Sequence, residues 1–315
     1  MVAFVFPGQG SQHVGMGKTL SDTFPVCRQV FEEADDALGC KISRLCFDGP
    51  AEELQLTENT QPAILTMSVA VSRLLSSRGY EAQYMAGHSL GEYSAHVAAG
   101  TLGFADALRL VRRRGQYMQE AVPVGQGAMA VVIGLNSNGV DQVCREVAGG
   151  QVVSAANLNT PNQIAISGHA EAVERAGIKA KELGAKRVVP LAVSAPFHCA
   201  LMRPAEVLLE PEIRALVVRD PTVPVVANVD ATLKQTGQES VEALISQVSL
   251  PVLWEASVRT LVEKGVSAFL EVGPGRVLTG LIKKTDRAVR VMNVEDPDSL
   301  SSVEAAWESF SGVSE

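Results

Sequence analysis

The sequence predicts an α/β fold: a parallel sheet covered on both faces, interrupted by a small α+β insert. Three observations carry this. Short apolar strands alternate with helical patterns from Met1 to about Pro123, and again after Ser194. Such alternation implies parallel strands with helical crossovers. Between them, Gly127 to about Val193 reads as strand, helix, two strands, helix, strand, which is the ferredoxin-like order. Finally, 315 residues with 46% apolar and 20% charged side chains can bury a sizeable core.

In chain order, Val2–Phe6 is an uninterrupted apolar run that suits a buried strand, and a Gly/Gln/Ser loop follows it. Gln61–Ser76 places Ile64, Met67, Val71, Leu74 and Leu75 at helical spacing. Gln83–Ala86 makes a short strand running into Gly87-His88-Ser89-Leu90-Gly91, and the helix beyond stops at Gly100. In the insert, Met129–Leu135, Gln151–Ala156, Gln163–Ser167 and Lys186–Val193 are strands, and Val140–Ala148 and Ala170–Leu183 are helices. After it come strands at Val223–Val229 and Ala268–Val272 and helices near Ser240–Val248 and Leu253–Lys264. The expected division is therefore a large unit of residues 1–123 and 195–315 and a small unit of 124–194. The last ~15 residues are polar and read as peripheral.

Composition excludes several function classes. With 27 Lys plus Arg against 35 Asp plus Glu, the net charge of −8 disfavours nucleic acid and anionic membrane as partners. Only 5% of residues are aromatic, too few for base-stacking platforms. No membrane span or export segment is read, since the uncharged stretches are broken by Gly, Pro, Asn and Gln. Five cysteines without a C-x-x-C pair read as reduced cytoplasmic thiols, with no metal site expected.

The chemistry starts at Ser89. A G-x-S-x-G turn between a strand and a helix has the context of a nucleophile elbow, whose sharpness demands small flanking residues. The helix N-terminus then leaves the Leu90 N–H free for an oxyanion. The competing reading is a plain Gly-rich connection. A serine needs a base within reach. Among five histidines, His13 lies in the first loop, His88 reads as structural, His96 packs or faces solvent, and His169 caps an insert helix. His198 follows the insert as the chain re-enters the large unit, and the order Ser then His suits a hydrolase-type arrangement. Cys199 beside it reads as a packed thiol. No acid stands at an obvious strand end between Ser89 and His198, so a Ser–His dyad with a backbone or amide partner is expected. The first loop does not carry a nucleotide-binding pattern. G-x-G-x-x-G fails at His13, and a P-loop ending at Gly17-Lys18-Thr19 fails at Gln12.

Taken together, several motifs resemble the acyltransferase family of malonyl-CoA:acyl carrier protein transacylases. They are Pro7 to Gln12, Thr60-Gln61-Pro62-Ala63, Gly87-His88-Ser89-Leu90-Gly91-Glu92, Asn157 to Pro161, Phe197-His198, Gln247 to Trp254 and Glu271 to Gly275. The resemblance implies a hydrolase-like core with a ferredoxin-like insert, Ser89 as the acylated nucleophile and His198 as base. It also implies that the Gln247 carbonyl orients His198 and that the Gln9 N–H is the second oxyanion donor. Phe197 is a weaker match, at a position that varies in such enzymes.

A malonyl carboxylate calls for an arginine fork. In Arg112-Arg113-Arg114 the helical stripe Phe104, Leu108, Val111, Gly115 and Met118 turns Arg113 outward and leaves Arg112 and Arg114 on its flanks. Periodicity leaves those two open; the resemblance selects Arg114. Leu90 and Phe197 would crowd the acyl α-carbon. The implied reaction is malonyl transfer from malonyl-CoA to acyl carrier protein, supplying fatty-acid synthesis, with a polyketide system as another possible user. It needs no resident cofactor, because the phosphopantetheine belongs to the carrier. Rival readings are a serine thioesterase or esterase using the same elbow, and a non-catalytic carrier-binding subunit. For the acidic carrier, two basic clusters offer docking surfaces: Lys179, Lys181, Lys186 and Arg187, and Lys283, Lys284 and Arg287.

Overall fold

The computed structural model describes residues 1–193 and 195–312. Two sheets organise them. The first has six strands: β1 Val2–Phe6, β2 Tyr84–Gly87, β7 Val225–Val226, β8 Leu233–Lys234, β9 Ala268–Val272 and β10 Arg290–Val294. They lie in the order β10-β9-β1-β2-β7-β8. All pairs are parallel except the last, where β8 turns back on β7. Every residue of β1 and of β9 is buried, as strands covered on both faces require. The register sets Phe6 beside Gly87, so the loop after β1 and the turn after β2 leave the sheet side by side at its carboxyl edge. Ligands of open α/β sheets bind at that edge.

The second sheet comprises β3 Gly127–Ile133, β4 Val153–Thr160, β5 Gln163–His169 and β6 Arg187–Pro190, ordered β4-β5-β3-β6 and antiparallel throughout. That is the ferredoxin-like order the sequence predicts. Helices Ser137–Val147 and Ala170–Glu182 pack on it through Val140, Val143, Val173 and Ala176, over Val132, Ile164 and Ile166. β4 also bonds the loop before the helix Trp254–Glu263, where the Leu158 N–H donates to the Val252 carbonyl (2.9 Å) and the Val252 N–H to that of Ala156 (2.8 Å). Among the described residues, no helix is long and apolar enough to cross a membrane.

Several expectations need correction. The strand expected over Val223–Val229 shrinks to two residues. Beyond Val226 the chain closes a tight turn, with the Ala227 N–H on the Thr232 carbonyl and Ala231 at φ 55. The strand expected over Gln151–Ala156 runs on to Thr160, past its apolar stretch, because β5 pairs with it to the end. β10 is a half-exposed edge strand without a strong apolar run. The polar C-terminus is a helix, Pro297–Ser311, that buries Leu300, Val303 and Phe310 and stacks Trp307 on Tyr80 at 4.6 Å. Its apolar residues recur at helical spacing inside a Ser/Glu-rich composition, so average polarity hides the stripe. Residues 313–315 and Ser194, the last residue of the expected insert, lie outside the described residues. His169 occupies the position before its helix without capping it; its Nδ1 accepts from the Val152 N–H at 2.9 Å.

Candidate active site

Ser89 stands between β2 and the helix Leu90–Ala98 at φ 51, ψ −108. A non-glycine residue there carries strain on the order of 1–3 kcal/mol, which the surroundings must impose. The flanking glycines are steric necessities. A Cβ on Gly87 would sit 1.9 Å from the Gly91 carbonyl carbon, and one on Gly91 would sit 2.0 Å from the Phe6 carbonyl oxygen. The helix can leave the strand this abruptly only if both residues lack side chains.

Ser89 Oγ lies 2.6 Å from His198 Nε2. The other ring nitrogen, Nδ1, faces two carbonyls, Gln247 at 3.0 Å and Leu250 at 3.2 Å. Only an Nδ1–H satisfies those acceptors, so Nε2 is the bare nitrogen and the serine hydroxyl donates to it. Burial, with help from the Arg114 and His88 charges, pushes the His198 pKa down to about 3. The imidazole is therefore neutral at physiological pH. Among the described residues, no carboxylate bonds it.

Arg114 comes from the helix Phe104–Glu120 and is 2% exposed. It donates to Gln61 Oε1 (2.8 Å), to Gln247 Oε1 (2.8 Å) and to Ser89 Oγ (3.2 Å). Its guanidinium also lies over the Tyr93 ring at 5.2 Å. Arg113 is exposed and 4.0 Å from Glu212, while Arg112 is half-buried against Cys40. Of the two flanks that periodicity left open, the one carrying Arg114 faces Gln61, Gln247 and Ser89, and the one carrying Arg112 faces Cys40.

One cleft is lined by Gln9, Gln61, Ser89, Leu90, Arg114, Met118, Met129, Asn157, Leu191, Val193, Phe197 and His198, with His88 at its wall. The first loop, the elbow, the re-entry segment and the insert thus converge. Gln9 and Leu90 both line the cleft, and among the described residues neither N–H has a backbone acceptor. Gln247 is fully buried below the cleft, and Phe197 is 8% exposed at its edge. His88 is held by Asn159 (2.8 Å) and packs on Trp254, as a structural residue would. His96 is buried without any ring partner among the described residues, and the Cys199 thiol donates to the Pro196 carbonyl. No group of three or more His, Cys, Asp and Glu among the described residues could hold a metal ion.

Sequence reasoning gave no role to Gln61, Glu92 or Asn228, all buried here. Gln61 and Glu92 sit inside recognised motifs. Asn228 had only one signal, a polar residue at the end of an apolar strand.

The description "Acyl transferase domain" matches residues 3–303. The chain belongs to that acyl transferase family. This acyl transferase is 50% identical over 300 residues to the malonyl CoA-acyl carrier protein transacylase of Escherichia coli, covering 95% of this chain and 97% of that one. It is 49% identical to the protein of the same name from Bacillus subtilis, covering 95% of each. Among solved structures, an acyl carrier protein S-malonyltransferase from Vibrio cholerae superposes with a TM-score of 0.94 at 46% identity, over 96% of this chain and 99% of that one. A malonyl-transacylase in complex with its type II polyketide acyl-carrier protein does so with a TM-score of 0.94 at 48% identity, over 99% of each.

Proposed function

We propose that this acyl transferase moves malonyl from malonyl-CoA to the phosphopantetheine thiol of acyl carrier protein through a malonyl-serine intermediate. The observation that carries the reading is the buried Arg114 guanidinium 3.2 Å from a serine that is itself 2.6 Å from a neutral imidazole. A nucleophile, a base and a carboxylate receptor share one cleft. A simple thioesterase or esterase gains nothing from the third.

In this reading Ser89 Oγ attacks the thioester carbonyl as its proton passes to His198 Nε2. The oxyanion is met by the Leu90 and Gln9 N–H groups. The C–S bond breaks, and CoA leaves with the proton from His198. The carrier thiol then gives its proton to His198 and attacks the serine ester; Ser89 leaves and recovers the proton. The Gln247 and Leu250 carbonyls keep the ring in one tautomer and support the transient imidazolium. Arg114 binds the malonyl carboxylate, and Leu90 and Phe197 crowd its α-carbon. No resident cofactor takes part, and the cytoplasm suits five cysteines without disulfides among the described residues. The division into units of 1–123 with 195–315 and of 124–194 is supported by two sheets that share no strand.

Mixing the protein with malonyl-CoA and measuring intact mass tests the reading. A malonyl adduct is expected, lost in Ser89→Ala and discharged faster by holo-carrier than by water. Discharge to water at the same rate would favour the hydrolase instead.

A further inference from the structure

Every polar group of Asn228 is engaged. Its carboxamide spans the elbow: Nδ2 donates to the Gly87 carbonyl at 2.7 Å, and Oδ1 accepts from the Ser89 N–H at 2.7 Å. Its own N–H donates to Glu92 Oε2 at 3.1 Å, and its carbonyl accepts from the Leu253 N–H at 2.8 Å. A second amide grips the other side of the serine. Gln247 Nε2 donates to the Ser89 carbonyl at 2.8 Å and to Glu92 Oε2 at 2.9 Å. Asn228, Gln247 and Glu92 are all fully buried.

Both peptide groups of the strained residue are thus held by side chains from distant parts of the chain, and one carboxylate oxygen of Glu92 ties the backbone of Asn228 to the side chain of Gln247. The chemistry at 228 is restrictive. The position needs a donor toward Gly87 and an acceptor toward Ser89 within one short planar group, which asparagine supplies and ionised aspartate does not. The bond to Asn228 also occupies the Ser89 N–H, keeping it from a substrate oxygen. Through Leu253, Asn228 is joined to the same short segment whose Leu250 carbonyl faces His198. The loop that holds the nucleophile is therefore coupled to the one that orients the base.

We propose that Asn228 is a positioning residue for acyl transfer, holding the Ser89 peptide in the positive-φ conformation that aims Oγ at His198. The proposal rests on Ser89 being the acylated residue. Its test has two arms. In the first, Asn228→Ala and Asn228→Asp are acylated in single turnovers at saturating malonyl-CoA, and affinity for malonyl-CoA is measured by calorimetry in a Ser89→Ala background. The acylation rate should fall by about 10²-fold, while affinity stays within about twofold, because misplacement of reacting atoms hurts the chemical step rather than binding.

The second arm reads strain without activity. Ser89→Gly and Ser89→Ala both lose Oγ, but only glycine adopts φ 51 freely. Ser89→Gly should melt ~2–4 °C above Ser89→Ala, and the gap should close when Asn228→Ala is added. Wild-type acylation rates in both Asn228 variants, or an undiminished melting gap, would overturn the proposal. Asn228→Asp carries both arms if Asn228→Ala does not fold. If malonyl-CoA fails to acylate the unaltered chain, the acyl-transfer reading falls, and the melting comparison still decides whether Asn228 holds the turn.

Discussion

At the scale of single residues, the site is a balance between one buried cation and one buried neutral ring. Among the described residues Arg114 has no carboxylate in direct contact; amide oxygens of Gln61 and Gln247 hold it, and in the proposed function its charge meets the malonyl carboxylate. Arg114→Ala should therefore lower kcat/KM for malonyl-CoA by ~2–5 kcal/mol of transition-state stabilisation, with a smaller loss for acetyl-CoA, which has no carboxylate. Equal losses for the two thioesters would remove Arg114 from acyl recognition. His198 yields a pH prediction. A base works in its neutral form, and burial lowers this pKa to about 3, so the neutral form persists well below the ordinary 6.5. His198 should therefore add no limb to the kcat/KM for acylation between pH 8 and about 5. Glu92, pushed up to about 7, is the site group that titrates in that range, so a limb near 6.5 that persists in Glu92→Gln would contradict this. Ser89→Ala should abolish the adduct, and His198→Ala should slow its formation by several orders of magnitude, as in other Ser–His systems.

At the scale of elements, the helix Leu90–Ala98 does most of the positioning and carries a cost. It brings Ser89, Leu90 and Glu92 to the carboxyl edge of the sheet, and its His96 is fully buried with neither nitrogen hydrogen-bonded among the described residues. Burial pushes the His96 pKa down to about 3. The unfolded chain protonates this ring near pH 6.5, while the folded chain does so only near 3. Stability is therefore present above 6.5 and lost as pH falls toward 3. By pH 5 the loss from this group is about 2 kcal/mol relative to pH 8. Denaturant melts at the two pH values should show His96→Leu to be less acid-sensitive than the parent by about that amount. Glu92, pushed up to about 7 chiefly by burial, acts in the opposite sense and remains in both proteins, so the difference isolates His96.

At the scale of the whole molecule, a net charge of −8 opposes an acidic carrier, so docking requires local basic charge. On the insert, Lys179 is already matched by Glu146 and Glu182. In the other cluster, Lys283 donates to the Val289 carbonyl and Lys284 reaches across to Gln163 of the insert, at the seam between the sheets. Reversing Lys284 and Arg287 to Glu should raise the KM for carrier several-fold and flatten its salt dependence, with acylation by malonyl-CoA as the internal comparison. The paired change at Lys186 and Arg187 should do less. If neither pair alters the carrier KM, docking lies elsewhere on the surface.

By itself the sequence determined what local spacing can encode. The glycines around Ser89 are dictated by contacts under 2.1 Å, so the turn is visible as a motif. The insert's order follows from strands and helices whose apolar residues keep their periods, and the two histidines nearest Ser89 in sequence could be set aside. Elements without a contrasting pattern escaped: β10 is an edge strand half open to solvent, and the last helix hides four apolar residues in polar company. Tertiary structure alone decided which side chains meet. Arg112 and Arg114 are equivalent on a helical wheel, and only the packing of Gln61 and Gln247 against one flank separates them. Asn228 lies 139 residues from Ser89, yet bonds its N–H. Hydrogen bonds across such separations leave no periodic trace, because their geometry depends on how whole elements pack rather than on neighbours in the chain.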